Sequence, residues 1–143
     1  MSYVLRFCYL AGCLVALGCG KDDGHVKLYP VSGKVTVNGQ PAAGARVVLY
    51  PKAAEVEGKK MPTPAAVVDA NGQFQMESYV PGDGAPEGEY KVSITWLAPP
   101  PPNAQGIFDE KDRLSGRYSN PEKSGLTAHV ESGGGELPPF ELK

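Results

Sequence analysis

The sequence predicts an all-β fold, an antiparallel β-sandwich of about seven strands. Three observations predict it: several segments alternate apolar and polar residues with period two, turn signals separate them, and no long segment carries a helical repeat. Eighteen Gly and 14 Pro in a chain of 143 residues supply the turns, and an apolar content of 41% suffices for a compact core. Once the first residues are set aside, the length fits one domain.

The N-terminus has a different character. Met1–Arg6 carries one positive charge, and Phe7–Leu17 is an apolar run of the length of a signal-peptide core, shorter than the roughly 20 residues of a membrane-spanning helix. Polar residues then begin abruptly at Gly20-Lys21-Asp22-Asp23. Ala16-Leu17-Gly18-Cys19 resembles the lipobox of bacterial lipoproteins, which implies cleavage before Cys19 and a diacylglyceryl group on its thiol. That family prefers Leu three places before the cysteine, where this chain has Ala16.

Leu10-Ala11-Gly12-Cys13 is the competing motif and fits better locally, but it leaves only Phe7–Leu10 as an apolar core and strands Leu14–Leu17 on the mature chain. The length argument selects Cys19; an ordinary cleaved signal peptide or an uncleaved anchor is the alternative. The expected division is residues 1–18 as lipoprotein signal peptide, 19–29 as lipidated cysteine and tether, and 30–143 as the β-sandwich. Two or more acyl chains hold a protein stably on its membrane. The expected location is therefore the cell envelope, lipid-anchored, on the periplasmic side or in the outer membrane. Gly20 supplies no aspartate-type retention signal, which favours the outer membrane where there are two.

Asp22–Tyr29 reads as a short polar tether. Val31, Gly33, Val35 and Val37 then alternate with Ser32, Lys34 and Thr36 as on a half-buried strand, and Asn38-Gly39 is a tight-turn signal. Ala45–Tyr50 is the next strand, stopped by Pro51, and Lys52–Pro64 is a loop. Ala65–Val68, the turn Asp69-Ala70-Asn71-Gly72 and Phe74–Glu77 read as a second hairpin. After the loop Pro81–Gly88, Tyr90, Val92, Ile94 and Trp96 mark the clearest strand, expected to be central with Trp96 near the core.

Pro99–Pro102 ends that strand, because consecutive prolines remove ladder donors. Asn103–Ser115 reads as a surface loop, with a helical turn over Phe108–Leu114 as the alternative. Leu126, Ala128 and Val130 alternate again, and the prolines in Leu137–Leu142 confine that last strand to an edge.

Three segments carry a family resemblance: Val31-Ser32-Gly33-Lys34-Val35-Thr36-Val37-Asn38-Gly39-Gln40-Pro41-Ala42-Ala43-Gly44-Ala45-Arg46-Val47-Val48-Leu49-Tyr50, Asp69-Ala70-Asn71-Gly72-Gln73-Phe74, and Pro86-Glu87-Gly88-Glu89-Tyr90-Lys91-Val92. Together they resemble carboxypeptidase regulatory-like domains, which are transthyretin-like, Ig-like sandwiches. The tail, with Gly116-Arg117-Tyr118, Ser124-Gly125-Leu126-Thr127 and Leu137-Pro138-Pro139-Phe140-Glu141-Leu142, looks like that of small planctomycete lipoproteins. The resemblance implies a fold and hardly constrains function. The same residues have a sufficient structural use, with glycines at turns and close approaches and Phe74 and Tyr90 in the core.

No catalytic constellation emerges. The three cysteines, Cys8, Cys13 and Cys19, all belong to the export segment, so no disulfide framework is expected in the domain. His25 and His129 are isolated, and a zinc site wants three or four spaced ligands. Asp69-Ala70-Asn71-Gly72 fails the calcium-loop spacing, since Ser78 stands where a glutamate is needed. The chain ends Phe140-Glu141-Leu142-Lys143 rather than in the Tyr-Arg-Gly-Ser of transthyretin-like hydroxyisourate hydrolases, and Lys34 lies on the polar phase, unlike the isopeptide lysine of collagen-adhesin B-type domains.

The net charge of −2 with no basic run gives no footprint for nucleic acid. The expectation is a non-catalytic binding or structural module without cofactor or metal, held on the membrane by Cys19 and facing an envelope protein or glycan. Carbohydrate binding through Tyr79, Tyr118 and Phe108 is the alternative, and a small transthyretin-type hydrolase the remotest. Trp96, Arg117 and the stiff Pro99–Pro102 segment are further candidates for a recognition surface.

Overall fold

A computed structural model describes residues 24–100, 102–103, 106 and 110–143. The readings at Cys8, Cys13, Cys19, Pro101 and Phe108, and the expected signal peptide, lie outside the described residues. Among the described residues eleven strands follow one another: β1 (Val31–Val37), β2 (Gln40–Pro41), β3 (Arg46–Pro51), β4 (Glu55–Val56), β5 (Lys59–Lys60), β6 (Ala65–Val67), β7 (Gln73–Gln75), β8 (Gly88–Thr95), β9 (Leu126–Val130), β10 (Gly135–Glu136) and β11 (Phe140–Leu142). The seven that exceed two residues each fall on one of the seven segments expected from periodicity.

The all-β architecture is a sandwich of two main sheets. One is built around β1, and the other has the order β6-β3-β8-β9 with every neighbour antiparallel. β1 divides its backbone groups by parity. Val31 and Val35 bond to Met76, Gly72 and Ala42 on the β7 and β2 flank, while Pro30, Ser32 and Asn38 bond to Gly135, Leu137 and Leu142 on the other. Its inward side chains, Val31 and Val35, meet Val47, Leu49, Tyr90, Val92, Ile94, Ala128 and Val130 from the facing sheet in one core cluster. The strict alternation of β1 produces this burial, because period two places every second side chain on one face.

Four features differ from the sequence reading. First, the sandwich is not purely antiparallel: β10 and β11 lie parallel to β1. β9 ends where β1 begins, so a chain that crosses directly to the other sheet sets off again in the direction of β1. Second, the expected hairpin over 65–77 splits. Ala65 and Glu77 exchange both backbone hydrogen bonds at 2.9 Å, but β6 then pairs with β3 and β7 with β1, in different sheets. Alternation identifies the buried face of a strand and not its partner.

Third, Lys52–Pro64 holds a small hairpin, β4 with β5, and contributes buried Met61 to the core. Asn38 (φ 50°) and Gly39 (φ 80°) do form the expected primed turn, but it returns only into the two-residue β2 before the chain leaves for the second sheet. Fourth, the end of the expected tether packs on the domain. Val26 is buried, Leu28 lies against the core, and Tyr29 exchanges two 3.0 Å backbone bonds with Ala85. The segment Arg113–Ser119 forms successive turns rather than a helix.

Strand directions define two poles roughly 20 Å apart, the rise of the seven-residue β1. Tyr29, the β4–β5 hairpin, the 79–87 loop and residues 131–134 gather at the proximal pole. Asn38-Gly39, the 69–72 turn and Trp96 gather at the distal one.

Candidate functional site

A concavity of about 810 Å³ lies at the proximal pole between the N-terminal segment, the β4–β5 hairpin and the 79–87 loop. His25, Lys27, Val56, Glu57, Tyr79 and Val80 are among its lining residues. The chain reaches this place because Tyr29 is zipped to Ala85, which lays residues 25–29 beside the loop. The His25 ring stacks on Tyr79 at 4.0 Å between centroids, and Lys27 Nζ stands 5.1 Å from the Tyr29 ring.

Asp83 organises the loop. Its carboxylate accepts the backbone N–H of Ser78 at 2.6 Å and those of Tyr79 and Val80 at 2.9 Å each. Partial desolvation pushes the Asp83 pKa up, and these backbone donors outweigh it, so the carboxyl stays below the ordinary aspartate value. The same loop is fixed from within by Tyr90, whose buried hydroxyl donates to the Pro86 carbonyl at 2.7 Å. A tyrosine bonded to backbone four residues upstream is the corner arrangement of many sandwiches. Tyr79 and Val80 are therefore held outward, 41% and 60% exposed, by a hydrogen-bonded loop.

A second groove, about 530 Å³, runs between β9 and the 134–138 segment and contains His129. His129 Nδ1 lies 2.5 Å from Glu89, which Lys52 approaches at 3.5 Å, all three side chains about half exposed. His25 and His129 thus line different grooves, and among the described residues neither groove includes an arginine. A two-histidine, arginine and carboxylate cleft of the hydrolase type is not assembled by these residues.

The distal pole holds Trp96, half-buried beneath the Arg113 guanidinium at 3.9 Å, with its indole N–H donated to the Ala43 carbonyl at 2.9 Å. Asp112 accepts from the N–H groups of Trp96, Leu114 and Gly116, each at 3.0 Å. Tyr118 turns toward the core, and Arg117 donates to the Lys143 carbonyl at 3.0 Å. Tyr79, Trp96, Tyr118 and Arg117 consequently do not form one surface. Pro99 and Pro100 are exposed beyond β8.

The turn at Asp69 uses its carboxylate on the backbone N–H groups of Asn71 and Gln73, at 2.8 and 2.9 Å. Lys34 is exposed on β1 opposite Gln73. Among the described residues no three His, Cys, Asp or Glu side chains are grouped to hold a metal ion, and no helix is long and apolar enough to cross a membrane. The proximal groove escaped the sequence reading. Its signal was Tyr79-Val80, two adjacent apolar residues that break the alternation set by Phe74 and Met76 and are followed by Pro81-Gly82.

No protein-family model matches this chain, and no curated protein does. A solved 9R-lipoxygenase from Cyanothece PCC8801 is similar over 81% of this chain, with 12% identity and a TM-score of 0.42. The chain spans only 16% of that enzyme's length, and so slight a likeness carries no argument about function.

Proposed function

We propose that this chain is an envelope lipoprotein, anchored through Cys19, that presents a non-catalytic β-sandwich of the carboxypeptidase regulatory-like, transthyretin-like type as a binding or structural module. The observation that carries the reading is the order of features along the chain: a charged start, an apolar run of signal length, a lipobox-like Ala16-Leu17-Gly18-Cys19, and then a folded domain within a few residues. Val26 already belongs to the core, so the domain begins close to the proposed anchor.

The non-catalytic part of the reading is supported by how the polar groups are employed. Asp69, Asp83 and Asp112 each direct carboxylate oxygens at backbone N–H groups of their own turns, and Trp96 is capped by Arg113. These are uses in building loops. The Gly33, Asn38-Gly39 and Tyr90 positions that carry the family resemblance serve a close ring approach, a primed turn and a tyrosine corner, which are structural uses. The lipoprotein reading is tested by labelling cells with radioactive palmitate. Label enters the wild-type protein and is lost on Cys19→Ala but not on Cys13→Ala; absence of label from the wild type refutes the anchor.

A further inference from the structure

We propose that the proximal pole is a membrane seat: Val56, Tyr79 and Val80 rest in the lipid interface beneath the domain, so that the sandwich stands on its membrane with the distal pole presented outward. This inference rests on lipidation at Cys19.

Geometry supplies the first argument. Cys19 precedes Gly24 by five residues, and a chain spans at most about 3.6 Å per residue, so Gly24 lies within about 18 Å of an anchored cysteine. Residues 25–29 are bound to the 79–87 loop through Tyr29 and Ala85 and through the His25–Tyr79 stack. The attachment therefore brings this pole, rather than the Trp96 pole, within reach of the lipid surface.

Surface chemistry supplies the second. Six large hydrophobic side chains are conspicuously exposed among the described residues, and three of them, Val56 (41%), Tyr79 (41%) and Val80 (60%), line this one groove. They sit on stiff supports. Val56 adjoins the tight β4–β5 turn, where Glu57 and Gly58 have φ of 52° and 74°, and Tyr79 and Val80 have their N–H groups fixed by Asp83. A tyrosine between apolar and wet surroundings is the side chain favoured at a membrane interface.

Charge supplies the third argument and sets the character of the contact. Lys27 and Lys59 are balanced in this groove by Glu57 and Glu87, and Asp83 points its oxygens inward at the loop. An electrostatic seat would need an excess of lysine and arginine. The contact is apolar, fits a lipid interface without requiring anionic headgroups, and is insensitive to salt.

The full lipidated protein offers a direct test, since maturation at Cys19 leaves no free thiol and a single introduced cysteine takes a fluorophore selectively. Val80→Cys at the proximal pole and Ala70→Cys at the distal turn are labelled with an environment-sensitive dye after reconstitution into phosphatidylcholine vesicles. Emission at position 80 is expected to shift to the blue and to be quenched several-fold more by lipid-borne quenchers than emission at position 70, with no change on raising salt. Tyr79→Ser is expected to weaken that quenching while acylation, read by intact mass, is unchanged. An acylated protein whose position 80 remains as water-exposed as position 70 overturns the seat and leaves the anchor standing. Shielding of position 80 from aqueous quenchers without lipid quenching also overturns it, in favour of a protein contact. A protein that carries no acyl group overturns both readings together.

Discussion

The ring of Phe74 lies across the backbone of Gly33, its cross-strand partner, so closely that a methyl group at position 33 would stand 2.4 Å from Cζ. The space belongs to Phe74, which stacks on Phe140 at 6.3 Å and ties β7, β1 and β11 into one sheet face. Gly33→Ala is expected to cost about 1–3 kcal/mol, the range for overpacking a filled core, read as a lower urea midpoint at unchanged m-value. Phe74→Leu in the same chain should recover part of the loss, because it removes the atoms that clash.

Tyr90→Phe removes the hydrogen bond to the Pro86 carbonyl without creating a cavity. We expect a loss of about 1–2 kcal/mol, the cost of leaving a buried acceptor unpaired. Burial raises the Tyr90 pKa above the ordinary value of 10.0. The folded state therefore binds the phenolic proton more tightly than the unfolded one, and this contribution is complete below about pH 10 and falls as pH rises beyond it. Denaturant titrations at alkaline pH should show a decline that is shallower in Tyr90→Phe.

Asp83 gives the opposite sign. Its pKa is depressed below the ordinary 3.8, so its contribution is present above that value and is lost as pH falls through it. Asp83→Asn should flatten the acid limb of the stability profile. Asp83→Ala, which leaves three backbone donors of residues 78–80 without their acceptor, should cost about 1–2 kcal/mol by analogy with the loss of a strong cap. Amide hydrogen exchange should then quicken at Ser78, Tyr79 and Val80.

Asp112→Ala is expected to loosen the segment that carries Arg113 over the single tryptophan. Three backbone N–H groups lose their acceptor, at a cost of about 1–3 kcal/mol if they stay shielded from water. Trp96 emission should move to the red. By contrast, His129→Ala, which removes only a half-exposed partner of Glu89, should change stability by no more than about 1 kcal/mol.

Strand positions were legible because alternation is a local property: Val31 to Val37 and Leu126 to Val130 are strands over those same bounds. Pairing was less legible. The sheet switch between β6 and β7 depends on which buried face Ala66 and Phe74 join, and a period of two is identical for either sheet. The parallel placement of β11 follows from where β9 ends, a long-range consequence that no local pattern carries. The candidate surface was legible only in pieces. Tyr79 was visible as a loop aromatic, but its neighbours Val56 and His25 come from segments 23 and 54 residues away in sequence, the first placed by the β4–β5 hairpin and the second by the Tyr29–Ala85 bridge. The short hairpin at 55–60 was hidden because two-residue strands show no period.

The anchor at Cys19 is the claim on which the orientation of the molecule depends, and the N-terminal mass of the mature protein from membranes tests it most directly. The expected species is a chain that begins at Cys19 and carries a diacylglyceryl thioether on that residue. A mature chain beginning at Cys13, or one that retains Met1–Gly18 or bears a free Cys19 thiol, would contradict it.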